Sequence, residues 1–233
     1  MSRWGQPDTV AGFVQSPPNP ALMRFAEEAR TGAAGPRALD IGCGAARNAL
    51  PLARAGWDVL GTDTSWPMLI AAAQRTRGEQ LKGRLQLIRA AMDSLPVLDA
   101  TADLIIAHGI WNLARSSDEF RRALREAARA ARPGAALFLF TFSRHTLASD
   151  ARPVAGETFV FTQFSGDPQC FLTSEQIVEE LRAAGFAADP AVPLRELNSP
   201  AGLLRAGSGP VIYEGLFRFR SKADGCTPVA RKV

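Results

Sequence analysis

A chain of 233 residues, 46% hydrophobic and 21% charged with a mean hydropathy of −0.04, has the make-up of one globular domain and enough length to bury a core. No run approaches the ~18 consecutive apolar residues of a membrane span. The opening stretch from Met1 to Asp8 lacks the apolar core of a signal peptide, so a cytoplasmic protein with no membrane partner is expected. The net charge of +4 is poor support for a nucleic-acid partner: all but Lys82, Lys222 and Lys232 of the 27 basic residues are scattered arginines. Several stand beside acids on one helix, as in Asp118, Glu119, Arg121, Arg122, Arg125, Glu126 and Arg129, which reads as a solvated, paired face. Cys43, Cys170 and Cys226 share no metal-ligand spacing and are too few for a disulfide framework, so no metal is expected.

Residues 1–20 are rich in Pro and Gly, and Ser16-Pro17-Pro18-Asn19-Pro20 reads as a stiff turn and helix stop. Ala21–Arg30 has the spacing of a short amphipathic helix, and Thr31 to Pro36 reads as a linker. An apolar strand, Ala38 to Ile41, then ends in Gly42-Cys43-Gly44, and small and apolar residues from Asn48 to Ala55 follow at helical spacing. Strand and helix go on alternating. Strands are expected at Trp57–Thr62, Arg84–Arg89, Ala102–Ala107 and Ala135–Phe142, with helices at Trp66–Arg77 (after Ser65) and Ser116–Ala131 between them. Pro133-Gly134 should stop the latter helix. Residues 143–172 lack helical period and hold Phe159, Phe161, Phe164 and Phe171, either as a lid over a ligand or as a core hairpin. Thr173-Ser174-Glu175-Gln176 should open a helix running to Ala184, with Thr173 or Ser174 as its cap. A short strand near Phe186–Ala188 or Val192–Leu197 and a last one at Val211–Arg220 complete the chain, before a polar tail. This βαβα order predicts an α/β fold: a Rossmann-like, seven-stranded, mostly parallel sheet with helices on both faces and an antiparallel last strand. The expected organisation is an N-terminal flap and helix (1–36), the main domain (37–220) and a loose tail (221–233).

Ligands bind open α/β sheets at the C-terminal ends of the strands. Four features fall there. Asp40 and the glycines end the first strand, and that carboxylate suits a ligand with a cationic amino group better than a pyrophosphate. Asp63 ends the second, 19 residues after Gly44, where a carboxylate can accept from two vicinal ribose hydroxyls. Ala91-Met92-Asp93-Ser94 follows the third and offers an acceptor for an exocyclic amine, with Met92 to pack on a base. His108-Gly109 follows the fourth. Singly, each has a plainer explanation: a tight turn, a helix cap, a solvated turn residue, a structural histidine. Their coincidence is what points to a nucleoside ligand.

In this order and spacing, the chain resembles the class I S-adenosylmethionine-dependent methyltransferases over about residues 37–142. The matching residues are Leu39-Asp40-Ile41-Gly42-Cys43-Gly44, Gly61-Thr62-Asp63-Thr64-Ser65, Ala91 to Pro96, and the strands Asp103–Ala107 and Leu137–Phe140. The resemblance implies that Asp40 lies near the amino group of S-adenosyl-L-methionine, through water or backbone, that Gly42 and Gly44 approach its methionine and ribose portions, and that Cys43 between them belongs to the same cofactor site. It also implies that Asp63 and Thr64 hold the ribose, that Met92, Asp93 and Ser94 hold the adenine, and that His108 lines the floor. Ala46 departs from the family pattern by standing where a third glycine is usual, which implies an altered loop. Arg47-Asn48, with Leu50 and Leu52, is also similar to the tellurite-resistance type of small-molecule methyltransferase.

Methyl transfer from a sulfonium is an in-line displacement with a good leaving group, so alignment and exclusion of water are the protein's main tasks. On the acceptor side, Trp111 and Asn112 are expected to face the substrate, and His108 and His145 are the candidate bases. Trp4 and Phe13 are candidates for a flap over the cofactor. The function expected is methylation of a small-molecule acceptor with release of S-adenosyl-L-homocysteine, by a monomer or homodimer. The alternatives are an RNA or protein methyltransferase, a non-catalytic cofactor-binding protein and a nicotinamide-dependent dehydrogenase. The last would need Gly-x-Gly-x-x-Gly without the acid at Asp40.

Overall fold

The computed structural model describes residues 3–30, 35–199 and 209–220. The expected linker residues 31–34, the tail from 221 and Cys226 lie outside these. Five strands alternate with helices: β1 (Arg37–Ile41), β2 (Asp58–Asp63), β3 (Leu85–Arg89), β4 (Ala102–His108) and β5 (Ala131–Phe142). They run parallel in the order β3-β2-β1-β4-β5. The sheet continues through β10 (Ile212–Phe219), antiparallel to β5, to β8 (Phe186–Ala188). These seven strands form the mostly parallel sheet expected, with its last long strand antiparallel. Both candidate short strands form, so β9 (Arg195–Leu197) pairs with β10 as an eighth.

Helices cover both faces, as the near-continuous apolar run of β5 demands. On one face α2 (Pro20–Arg30), α3 (Ala49–Arg54) and α4 (Trp66–Arg75) pack Leu22, Phe25, Leu50, Leu52 and Ala72 against Ala38, Val59, Leu104, Ile106 and Phe138. On the other, α5 (Ser117–Ala130) and α6 (Ser174–Ala183) bring Phe120, Leu124, Ile177 and Leu181 to Leu39, Ile41, Ile105 and Leu137. Ser116 caps α5 by accepting from the Glu119 N–H, and Thr173 with Gln176 closes a capping box on α6.

Two departures from the sequence reading have local causes. Pro7–Gln15 is a helix, α1, within the Pro- and Gly-rich stretch for which no helix was expected: Pro7 sits in the first turn, where its missing N–H has no intrahelical partner to lose. The chain leaves that helix at Ser16, just before Pro17-Pro18. Second, α5 stops at Ala130 and β5 begins at once, with Ala131 opposite Ala102. The register then shifts by the time Leu104 meets Ala136, and Pro133-Gly134 sits in that irregularity, where no ladder N–H is required. Of the two readings of the Phe-rich segment, the core hairpin is the one that forms, from β6 (Val160–Phe161) and β7 (Gln169–Cys170), with Phe159, Phe161 and Phe171 buried.

Candidate active site

The strand order reverses its direction of growth at β1, which pairs with β2 on one side and β4 on the other. A crevice opens there at the C-terminal strand ends. Its first wall is the turn after β1. Gly42 has φ +70°, and a Cβ on it would lie 2.6 Å from Cδ1 of Ile110. Gly44 has φ +53° with Phe13 just above it. At Gly42 a Cβ has no room, and at both positions the left-handed backbone favours glycine. Ala46, at the irregular third position, takes the same left-handed conformation at φ +58° while fully buried.

Asp63 ties this turn to β2. Its Oδ2 accepts the Gly44 N–H at 2.9 Å and its Oδ1 the Ser65 N–H at 2.7 Å. An ionised carboxylate has about four acceptor sites, so each oxygen keeps capacity for a further donor. Burial pushes the Asp63 carboxyl up, partly opposed by those backbone N–H groups. Ser65, expected to cap α4, makes no cap; its hydroxyl donates instead to the Trp4 carbonyl at 3.1 Å. That bond pins the N-terminal segment over the crevice.

A polar cluster lies at the end of β4. The His108 ring stacks on Phe140, centroids 4.1 Å apart, and its Nδ1 is 2.9 Å from Nη2 of Arg47. A guanidinium can only donate, so Nδ1 is the acceptor. Asn19 Nδ2 is 3.3 Å from His108 Nε2 and donates to Glu214 Oε2 at 2.6 Å. The Asn19 Oδ1 accepts the N–H groups of Ala21 and Leu22, capping α2. Behind the turn lies Asp40, 2% exposed, with Oδ2 lacking a hydrogen-bond partner. Burial lifts its carboxyl up to about 7, against the pull of the Arg47 charge.

Together these elements bound a cavity of about 740 Å³. Gly42, Gly44, Asp63, Thr64, Met92, Asp93, His108 and Asn112 line it, as do Trp4 and Phe13 from the N-terminal segment. Asp93 also accepts a hydrogen bond from Arg122 Nε at 3.1 Å. Arg47, Ile110, Phe140 and Phe142 complete the wall, and Arg115, Glu119 and Asp167 are among its polar residues.

Five candidates fall outside this lining. Asp40 and Cys43 are buried behind the turn; burial and nearby acids push the Cys43 thiol well up. Ser94 is exposed in the turn whose N–H bonds the Ala91 carbonyl. Trp111 was expected to face substrate, but the short 3-10 turn Trp111–Leu113 directs it into the core, 1% exposed and edge-on to Phe120. His145, the second candidate base, sits in the turn Arg144–Thr146, largely exposed, with Nδ1 2.8 Å from Glu196. Residues that the sequence reading missed include Asn19, Glu214, Phe140 and Phe142. The two phenylalanines were signalled by their alternation at the C-terminal end of β5; Asn19 and Glu214 carried no local signal.

Among the described residues no group of three or more His, Cys, Asp and Glu could hold a metal ion, and no helix is long and apolar enough to cross a membrane. Residues 39–139 match the family model of a methyltransferase domain. Over 113 residues the chain is 36% identical to the ubiquinone/menaquinone biosynthesis C-methyltransferase UbiE of Syntrophotalea carbinolica, covering 47% of this chain and 45% of that protein. The match to the curated relatives spans just under half of their length. The CcbJ methyltransferase from Streptomyces caelestis superposes with a TM-score of 0.68 at 16% identity, covering 94% of this chain and 98% of that one. The 1,6-didemethyltoxoflavin-N1-methyltransferase of Burkholderia thailandensis, solved with bound 1,6-didemethyltoxoflavin and S-adenosylhomocysteine, gives 0.63 at 18% identity, covering 86% and 79%. At those identities the structural likeness establishes the fold.

Proposed function

We propose that this chain, whose residues 39–139 match the family model of a methyltransferase domain, transfers a methyl group from S-adenosylmethionine to a small-molecule acceptor and releases S-adenosylhomocysteine. The observation that carries the reading is the Asp63 carboxylate, fixed by the Gly44 N–H beside the glycine turn and still able to accept from two hydroxyls of a ribose. Three features support the fit to the whole cofactor. A side chain is excluded at Gly42, and the positive φ of Gly42 and Gly44 favours glycine at both, so the backbone can approach a ligand closely. Met92 and Asp93 line the same cavity and suit a base and its exocyclic amine in chemistry. The UbiE relative is named as a ubiquinone/menaquinone biosynthesis C-methyltransferase, and the aromatic wall of Phe140 and Phe142 suits an acceptor with apolar surface.

When bound, the cofactor supplies an electrophilic methyl on a sulfonium leaving group. The chain's residues then have to orient and to exclude water. Asp63 fixes the ribose end. Trp4 and Phe13, in edge contact at 5.9 Å, cover the glycine turn on the solvent side. His108 serves as a positioning residue: with Nδ1 accepting from Arg47 and Asn19 beside Nε2, the ring holds the Arg47 guanidinium in place rather than taking a proton from an acceptor.

Calorimetric titration of the full chain with S-adenosylhomocysteine and with NAD tests the reading. Binding of the homocysteine nucleoside and not NAD is expected; the reverse overturns it.

A further inference from the structure

Arg47 carries a positive charge that the described part of the protein leaves without an ion-pair partner. Several arginines elsewhere on the fold pair with carboxylates, among them Arg121 with Glu180 and Arg218 with Asp189, and others, such as Arg75 and Arg144, donate to backbone carbonyls. Arg47 is half-buried, yet no carboxylate among the described residues lies within ion-pair distance, and its hydrogen-bonded partner there is the His108 imidazole. Asp40 acts on it only through space, from behind the turn, with one oxygen unpartnered. A guanidinium has five N–H donors in a planar fork, and burying such a charge is costly unless an anion meets it. The cavity wall is where that anion can arrive. The pose is held from behind: the His108 ring is stacked on Phe140 and flanked by Asn19, which Glu214 and the first turn of α2 fix in turn. A second incomplete group lines the same cavity, since Asn112 is 2% exposed and its Oδ1 has no donor.

From this we infer that Arg47, braced by His108, is an oxyanion-reading site of the cavity: a ligand carboxylate or comparable oxyanion docks on its guanidinium fork. The inference rests on the methyltransferase reading and extends it. That oxyanion has two possible sources, the amino-acid end of the cofactor or an acidic group on the methyl acceptor. Arg47 selects for acidic acceptors in the second case and fixes the sulfonium end of the cofactor in the first.

Three calorimetric titrations of wild type, Arg47→Met and Arg47→Lys separate these sources, with circular dichroism to confirm that each variant is folded. The probes are S-adenosylhomocysteine, 5′-methylthioadenosine (the same nucleoside without the amino-acid end) and benzoate added to protein saturated with S-adenosylhomocysteine. A tenfold or larger loss of S-adenosylhomocysteine affinity in Arg47→Met, with 5′-methylthioadenosine unchanged and Arg47→Lys between, supports the site and assigns the cofactor as source. Unchanged nucleoside affinities with benzoate binding lost in Arg47→Met support it and assign the acceptor. Equal losses for both nucleosides, or no change for any probe, overturn it while leaving the methyltransferase reading intact. Wild-type protein that binds neither nucleoside overturns both.

Discussion

Gly44 donates its backbone N–H to Oδ2 of Asp63 at 2.9 Å, which joins the turn after β1 to the end of β2 and sets the carboxylate at the crevice. Asp63 therefore has two duties, one to the fold and one to a ligand. Asp63→Ala should weaken binding of S-adenosylhomocysteine by about 1.5–3 kcal/mol, the scale of hydrogen bonds to a charged group. It should also lower the melting temperature, because the Gly44 and Ser65 N–H groups lose their acceptor. Calorimetry and thermal melts read the two effects separately. An unchanged affinity would rule out the ribose role.

Asp40 makes stability depend on pH in the direction opposite to a surface carboxylate. Its folded pKa, about 7, lies above the ordinary value of 3.8, so between those values the folded protein binds more protons than the unfolded chain. Its contribution to stability is thus greatest in acid and is lost as pH rises through about 4 to 7. At about 1.4 kcal/mol per pKa unit the span has an upper bound of roughly 4 kcal/mol. Asp40→Asn cannot ionise, so denaturant unfolding at pH 5 and pH 8 should show the variant gaining stability relative to wild type at the higher pH. A difference that does not vary with pH would contradict this assignment.

Asn19 holds α2, Asn48 and Glu214 at one point. Asn19→Ala removes a helix cap, typically about 1 kcal/mol, and strips a hydrogen-bond donor from Glu214. A total loss of roughly 2 kcal/mol in urea unfolding is expected; a loss below about 0.5 kcal/mol, the scale of neutral surface changes, would mean that the network is not formed.

Ala46 is a buried non-glycine residue in left-handed backbone. Ala46→Gly relieves strain of about 1–2 kcal/mol but adds unfolded-state entropy and removes a packed methyl, so its net effect should stay within about 1 kcal/mol. Ala46→Val, β-branched at positive φ and with no room, should destabilise by more than 2 kcal/mol, on the order of an overpacked, strained core site. Equal melting temperatures for the two variants would show that the turn is not as described.

The β-α alternation and the placing of Asp63, Met92, Asp93 and His108 around one crevice were legible because each depends on local pattern: apolar runs, glycines and acids at strand ends. What was not legible depends on long-range closure. Glu214 reaches the site only because β10 is inserted beside β5, and Asn19 only because α2 packs below α3. Trp111 lies one residue before Asn112 in sequence, yet a single tight turn sends it into the core while Asn112 lines the cavity. His145 follows β5 as Gly109 follows β4, but its turn leads towards β9 and Glu196 rather than over the crevice. Proline and glycine content hid α1, whose apolar residues pack chiefly on α4 and the glycine turn.

The most direct test of the account is a crystal structure of the full chain grown with S-adenosylhomocysteine. Both ribose hydroxyls should lie within about 3.2 Å of the Asp63 carboxylate oxygens, with the sulfur facing the His108 end of the cavity. A nucleoside bound elsewhere, or with its ribose turned away from Asp63, would contradict it.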